Sequence, residues 1–328
     1  MKVMPVLALA SLLLLMPVDY ARASTILISS GSTIGAYTTS GATLNASLIT
    51  GLNNPGSLTV SGSNLFVELG GNTIGEYTTD GALVNASLIT GLNNVHQISS
   101  FGSNIFVANG NPTNTIGEYT TAGATVNSAL ISGVNVAHGA ASNGANIFVL
   151  NNGNGNAGTG FISEYTLAGA LVNASLISGL TSPEEILILG SNIYVTNFGS
   201  GTVGEYTTSG GTVNASLISG LNGPLGIATD GSNLYITNAL GGTVSAYTTS
   251  GALVNAALIS GLSGPQGIGP LGIAVVPTAI PEPGSFGLLA VALAGLGFVR
   301  RKRPFPVLAR TEFQGQGPAG GITLDPLA

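Results

Sequence analysis

Six tandem copies of one four-stranded unit, a recurring hairpin turn inside each copy and mutually complementary ends predict an all-β fold. A unit of about 41 residues with four short strands matches one blade of a β-propeller. The period is carried by Tyr37, Tyr77, Tyr119, Tyr165, Tyr206 and Tyr247, spaced 40, 42, 46, 41 and 41 residues apart. Each opens Tyr-Thr-(Thr/Leu)-x-Gly, and Asn45, Asn85, Asn127, Asn173, Asn214 and Asn255 follow eight residues later. A Leu-Ile pair comes next, and Gly51, Gly91, Gly133, Gly179, Gly220 and Gly261 close the copies. From Tyr to that Gly no copy gains or loses a residue, so all length variation falls in the other half of the unit.

That other half contains the turn. Ser61-Gly62-Ser63-Asn64, Leu189-Gly190-Ser191-Asn192 and Asp230-Gly231-Ser232-Asn233 are examples. Gly and Asn tolerate the positive φ that tight hairpins need. A β-branched and aromatic run such as Ile193-Tyr194-Val195-Thr196 follows. The four strands are then one before the turn, one after it, one ending at the Tyr and one at Asn-Ala-Ser-Leu-Ile. No segment keeps a helical period over 11 residues. Stacked blades bury both faces of their strands, which accounts for apolar runs without alternation. A parallel β-helix is the other architecture considered, but its coil is nearer half this length.

The ends predict closure. Thr25-Ile26-Leu27-Ile28 matches a strand after the turn, and Pro270-Leu271-Gly272-Ile273-Ala274-Val275 matches a strand before it. Joined in one blade they complete a ring of six over residues 24–276 and remove exposed edges. These units resemble NHL-type and gluconolactonase-like six-bladed propellers through Gly-Pro-x-Gly-Ile-Ala…Asp-Gly-Ser-Asn-Leu-Tyr-Ile-Thr-Asn (Gly223 to Asn238). The resemblance concerns fold and carries no function by itself. Gluconolactonase-like enzymes use a channel metal site of acidic and Asn residues, which has no residue-by-residue match here.

Charge excludes several functions. Of 328 residues only 6% are charged, 50 are Gly and none is Cys. Disulfides, thiolate zinc sites and Cys nucleophiles are therefore excluded. Between Ser24 and Pro281 there is no Lys or Arg, while Glu68, Glu76, Asp80, Glu118, Glu164, Glu184, Glu185, Glu205 and Asp230 fall there. Nucleic-acid binding requires cations against phosphates and is excluded. Phosphate substrates held by Arg or Lys clamps are disfavoured for the same reason. Glu76, Glu118, Glu164 and Glu205, each just before a Tyr, read as a solvated outer edge that keeps the domain soluble.

Both ends look like targeting segments. Lys2, an apolar run from Val6 to Met16 and Ala21-Arg22-Ala23 form a secretory signal peptide over residues 1–23. At the other end Pro281-Glu282-Pro283 precedes an apolar span, 285–299, and then Arg300, Arg301, Lys302 and Arg303. As a helix the span would reach about 22 Å against a ~30 Å hydrocarbon core, with a stop-transfer cluster behind it. Residues 277–303 resemble the PEP-CTERM sorting signal of exopolysaccharide-producing Gram-negative bacteria. The resemblance implies processing by an exosortase-type enzyme, transient inner-membrane anchoring and release towards the cell surface or matrix. Such signals usually end at the basic cluster. Here 304–328 follow, a Gly/Pro-rich stretch expected to be disordered or to reflect a misplaced stop codon.

The candidate chemistry is sparse. His96, His138 and Glu184 occupy equivalent positions in successive units, and Gly56, Leu225 and Leu271 (or Gln266) fill that position elsewhere. The strand before the turn lies nearest the axis, so these three are expected at one end of the channel. Two imidazoles and a carboxylate suit zinc or a similar divalent ion; the other reading is that they are solvated loop residues. Glu184 and Glu185, as strand neighbours, are expected on opposite faces. Asn151 to Gly160 reads as the longest loop and lacks the Asp of calcium-binding repeats. Asn-Ala-Ser at Asn45, Asn85, Asn173 and Asn214 matches the glycosylation pattern as a by-product of the repeat. No catalytic residue or cofactor site is assigned. The expected role is an exported binding or structural module for polysaccharide or protein, the alternative a metal-dependent lactonase- or lyase-like enzyme.

Overall fold

The computed structural model describes residues 24–153, 155–263 and 271–277. The segments expected as signal peptide, membrane span, sorting motif and tail lie outside these residues. Among the described residues, twenty-four strands form six four-stranded antiparallel sheets. Blade 1 holds β1 (Thr25–Ser30), β2 (Thr33–Thr38) and β3 (Thr43–Ile49). Blade 2 holds β4 (Pro55–Ser61), β5 (Asn64–Leu69), β6 (Thr73–Thr78) and β7 (Leu83–Thr90). Blade 3 holds β8 (Val95–Phe101), β9 (Asn104–Asn109), β10 (Thr115–Thr120) and β11 (Thr125–Ile131). Blade 4 holds β12 (Ala137–Ser142), β13 (Asn146–Asn151), β14 (Gly160–Thr166) and β15 (Leu171–Leu180). Blade 5 holds β16 (Pro183–Leu189), β17 (Asn192–Asn197), β18 (Thr202–Thr207) and β19 (Thr212–Ile218). Blade 6 holds β20 (Pro224–Thr229), β21 (Asn233–Asn238), β22 (Thr243–Thr248) and β23 (Leu253–Ile259), and β24 (Ile273–Val276) returns to blade 1.

Closure follows the expected complementarity. β24 pairs with β1, Leu27 opposite Ala274 and Ile28 opposite Ile273. Gly272 N donates to Ser29 Oγ at 2.7 Å, and Ser29 N donates back to Gly272 O at 3.0 Å. The innermost strands β4, β8, β12, β16, β20 and β24 contact one another in that order around the axis, and β24 meets β4.

Six apolar clusters occupy the six blade–blade interfaces. One joins Leu27, Ile34 and Ile49 of blade 1 to Leu58, Leu65 and Val67 of blade 2. Another joins Ile26 and Ile28 of blade 1 to Tyr235 and Val244 of blade 6. The central strands bury both faces, as the unbroken apolar runs require, and each fully buried aliphatic or aromatic side chain contributes roughly 1.5–3 kcal/mol.

The Tyr signature is a packing device. In blades 1, 2, 3 and 5 the ring folds over a glycine two residues earlier, and a Cβ on Gly35 would sit 2.8 Å from Tyr37 Cε2. In blades 4 and 6 Ser163 and Ser245 replace that glycine, and Tyr165 and Tyr247 are only partly buried. After the Tyr, Thr78 closes a turn by accepting Ala82 N on Oγ1 at 3.1 Å and Gly81 N on its carbonyl at 2.9 Å. Gly81 has φ +91° and lies against Leu48 of the preceding blade, where a Cβ would come within 2.9 Å of the Leu48 carbonyl. The same Gly–Leu contact recurs at all six interfaces, so the turn glycine is required both for its φ and for the close approach.

One expectation is corrected. Glu76, Glu118, Glu164 and Glu205 are not solvated edge residues. Each accepts a hydrogen bond of 2.6–2.7 Å from the Asn that opens the second strand of its blade: Asn64, Asn104, Asn146 and Asn192. Glu76 and Glu205 are 7% exposed. The register explains this, because each Glu stands opposite a Phe or Tyr of the central strand, as Glu76 does to Phe66. The carboxylate is thereby aimed along the buried ladder at the turn.

Candidate ligand site at the channel mouth

The innermost strands begin with a bulge that aims two successive residues at the axis. Register shifts separate Pro55 from Leu58, Val95 from Ile98, Pro183 from Ile186 and Pro224 from Ile227. In blades 2 to 6 the first residue of the bulge is Gly56, His96, His138, Glu184 or Leu225 and the second is Ser57, Gln97, Gly139, Glu185 or Gly226; Leu271 and Gly272 align with them just before β24. The bulge overturns the expectation for Glu184 and Glu185. Instead of facing opposite ways, both line one cavity of about 310 Å³ at the channel mouth, with Glu68, Asn94, His96 and Gln97.

His96, His138 and Glu184 do come together. The imidazoles stack with centroids 4.0 Å apart and planes 17° from parallel. His138 Nδ1 lies 3.3 Å from Glu184 Oε2. Amides hold both rings, with Asn94 Nδ2 3.1 Å from His96 Nε2 and Asn152 Nδ2 3.0 Å from His138 Nε2. Burial, reinforced by His138, lowers His96 to about 4, so it is neutral at physiological pH. A ring nitrogen binds a metal in the plane of its ring at about 2 Å. One ion bound to both imidazoles would therefore have to turn them out of the stack. Among the described residues no group of three or more His, Asp or Glu is placed to hold a metal ion.

Below the mouth, Gln97 and Glu185 form a floor. Both also line a second cavity of about 250 Å³ that continues down the axis. Gln97 Nε2 donates to Ile186 O at 2.9 Å and Glu185 Oε1 at 3.3 Å. Glu185 Oε2 accepts Ile227 N at 2.7 Å. These bonds tie blades 3, 5 and 6 across blade 4, whose Gly139 leaves the room, since a Cβ there would collide with Gln97 Oε1. Burial raises Glu185 to about 8 against the pull of the Ile227 amide and Gln97, so the floor carries a proton at neutral pH.

Glu68 is the third carboxylate of the mouth. It replaces the hydroxyl residue that blades 1, 5 and 6 carry at this position, where Ser29, Thr196 and Thr237 accept an inner-strand N–H. Gly56 opposite leaves space for the longer side chain, and a Cβ there would collide with Glu68 Oε2. Glu68 Oε1 accepts Gly71 N. Burial raises it to about 7, opposed by the amides of Gly71 and Gly56. Sequence reasoning missed Gln97, Glu68 and Asn152. Gln97 and Glu68 were visible as the odd residues at aligned positions, whereas Asn152 sits at the start of the longest loop, where the repeat offers no register.

The structural neighbours are of NHL, gluconolactonase and lyase type. The ring is similar to a chain of a nidogen/laminin complex (14% identity, TM-score 0.66, covering 78% of this chain and 100% of that one). It is similar also to a gluconolactonase from Xanthomonas campestris (11%, TM-score 0.52, 65% and 79%). Streptogramin B lyase aligns at 18% identity with TM-score 0.47, over 79% and 75% of the two chains. Identities this low show the fold alone. No curated protein matches the sequence. Residues 279–303, which include Pro281, Glu282, Pro283, Arg300, Arg301, Lys302 and Arg303, match the PEP-CTERM protein-sorting motif and lie outside the described residues. The chain is a six-bladed β-propeller carrying a PEP-CTERM motif, which implies export and sorting to the cell surface by exosortase-type machinery.

Proposed function

We propose that the protein is a surface or matrix binding module that recognises an uncharged, hydroxyl-rich ligand, a polysaccharide segment, at the channel mouth. The observation that carries this reading is the mouth itself. One cavity gathers carboxylates, amides and an imidazole in a ring with no Lys or Arg. Carboxylate and amide groups at fixed angles accept and donate to sugar hydroxyls, and a flat imidazole offers a stacking face. The absence of cations disfavours phosphorylated or strongly anionic ligands. On this reading the signal peptide 1–23 is removed, span 285–299 anchors the chain in the inner membrane until an exosortase-type enzyme acts, and the ring then engages exopolysaccharide or surface proteins.

Calorimetry with neutral oligosaccharides prepared from the source's own matrix tests the proposal. Micromolar to millimolar binding that survives chelator and weakens about tenfold or more in Glu184→Gln is expected. No heat with any neutral glycan overturns it. The second reading, a metal-dependent lactonase- or lyase-like enzyme, is favoured by the His138–Glu184 contact and by the neutral state of His96, whose one unprotonated ring nitrogen would bind a metal in exchange for the Asn94 amide. Bound zinc lost in His96→Ala, with lactone turnover abolished by chelation, would replace the first reading.

A further inference from the structure

The outermost strands form the rim of the ring, and they are nearly identical and nearly bare. Their central residues are exposed on both faces in all six blades. Nine of the twelve large apolar side chains exposed among the described residues lie on them. No outer strand contains Asp, Glu, Lys, Arg or Pro, the residues that usually blunt a sheet edge.

The rim is not uniform. Two residues before the Asn stands Thr43, Leu83, Thr125, Leu171, Thr212 and Leu253 in blades 1 to 6, a strict Thr/Leu alternation. The next residue is Leu44 in blade 1 and Val in the other five blades. Leu83, Leu171 and Leu253 are 61%, 58% and 60% exposed. Blades 2, 4 and 6 therefore present a Leu-Val pair, Leu83-Val84, Leu171-Val172 and Leu253-Val254. Alternate members of a closed ring of six lie about 120° apart.

We propose that these three edges join copies of this chain side by side into a two-dimensional honeycomb net. Charge favours a second copy as the occupant. The ring has carboxylates and no cation, so two copies repel wherever acidic surface meets; the outer strands carry no carboxylate of their own, with Asp80 in the turn before β7 the one acidic residue beside the three edges, so that is where copies approach with least of that cost. An acidic or basic partner gains no ion pair there. A two-fold contact between like edges is self-complementary, and three per ring close hexagons rather than dimers.

The size of the contact sets its strength. A seven-residue edge is about 23 Å long at ~3.3 Å per residue. Pairing two such edges covers a few hundred Å² each, below the ~800 Å² per partner of a stable interface. A bulge also withdraws part of the backbone, because Ser87 N is already donated to Asn85 Oδ1 at 3.0 Å. Contact is thus chiefly between Leu and Val side chains. It is weak singly and strong only when three edges engage together.

The test uses the exported chain purified from the cell surface, followed by sedimentation velocity and electron microscopy across a concentration series. The expected result is monomer at low concentration and hexagonal sheets above a threshold. The triple substitution Leu83→Thr, Leu171→Thr, Leu253→Thr gives blades 2, 4 and 6 the residue that blades 1, 3 and 5 already carry, so folding is preserved. It is expected to raise the threshold about tenfold or more. The reverse triple, Thr43→Leu, Thr125→Leu, Thr212→Leu, lowers it and converts the net to denser packing. A wild-type chain that stays monomeric throughout, a Leu→Thr triple that assembles like wild type, or a monomer that instead binds phosphatidylcholine vesicles through these residues overturns the proposal.

Discussion

The innermost and outermost strands of this ring obey opposite rules. Outer strands repeat almost letter for letter, from Thr43-Leu44-Asn45-Ala46-Ser47-Leu48-Ile49 to Leu253-Val254-Asn255-Ala256-Ala257-Leu258-Ile259. Inner strands keep a hydrophobic anchor, such as Leu58, Ile98, Ile186 or Ile227, and vary at the two bulge positions before it. The repeat encodes the scaffold, and departures from it encode the site. Six identical inner strands would give a symmetric channel. A single His stack, a single carboxyl floor and a single Glu68 make it directional instead.

The contrast between the two sets of strands is sharpest where an inner strand is also the closure. Ile273 is 2% exposed, sits in the cluster between blades 6 and 1, and pairs with Ile28. Ile273→Asp buries an unpaired charge and frees the edge of β1. Loss of more than about 3 kcal/mol, or failure to fold, is expected by denaturant titration. A charge placed on the outer strand by Val254→Lys is expected to stay within about 0.5 kcal/mol. Equal effects would mean that the ring is not held by its closing pair.

The buried Glu struts extend the contrast to whole blades. Glu205 accepts from Asn192 at 2.7 Å and from Tyr194 at 3.1 Å. Glu205→Ala strands Asn192 Nδ2 and leaves Tyr194 OH only the Thr249 carbonyl at 3.3 Å, and is expected to cost about 1–3 kcal/mol in thermal or chemical unfolding. Blade 6 has Ala246 at this position, and its Tyr235 donates instead to Asp230 at 2.7 Å. Leu189 is the blade 5 counterpart of Asp230, and Gly190, Ser191 and Asn192 already match Gly231, Ser232 and Asn233. Adding Leu189→Asp to Glu205→Ala therefore supplies a new acceptor for Tyr194, and the double variant is expected to regain part of the lost stability. A double variant no more stable than Glu205→Ala would show that the two blades do not solve the same hydrogen-bonding problem.

Most of the scaffold was legible in the sequence because a repeat shows the same packing problem solved six times. The Tyr period, the turn glycine and the complementary ends each have a local physical cause that recurs. The site was legible only in part. His96, His138 and Glu184 stood out as titratable groups at aligned positions, and the structure brings them together. Gln97 is the odd residue at its aligned position, but its role is not legible there, because it depends on Gly139 of the next blade and on Ile186 of the one beyond. The struts were misjudged because the spacing of Glu76 from Tyr77 shows which strand it is on but not that Asn64 waits across the sheet. The Asn-Ala-Ser pattern has a local cause too. All six Asn side chains cap an N–H two residues on, including Asn127 and Asn255, where no Ser follows at that place.

The most diagnostic effect concerns the protonated carboxyls of the mouth and floor. Glu68 and Glu185 hold their protons to about 7 and about 8 in the folded ring, well above an ordinary carboxylate. The folded state then binds more protons than the unfolded chain from the ordinary carboxylate range up to those values, so stability falls as pH rises through that window. His96, lowered to about 4, works in the opposite sense and removes stability as pH drops from about 6.5 towards 4. Two protons against one leave a net decline from about pH 5 to about pH 8, read as a melting temperature that drops across a pH series. Glu185→Gln removes one of the opposing groups while Gln keeps an acceptor for the Ile227 amide. It is expected to flatten the decline by about one proton's worth, so that its stability relative to wild type is better at about pH 8 than at about pH 5. The rim offers an internal control, because its outer strands carry no titratable side chain, and Val84→Thr should leave the pH slope unchanged. A Glu185→Gln ring with the wild-type slope would show that the floor is ionised in the folded state, and would place the channel's polarity among ordinary solvated carboxylates.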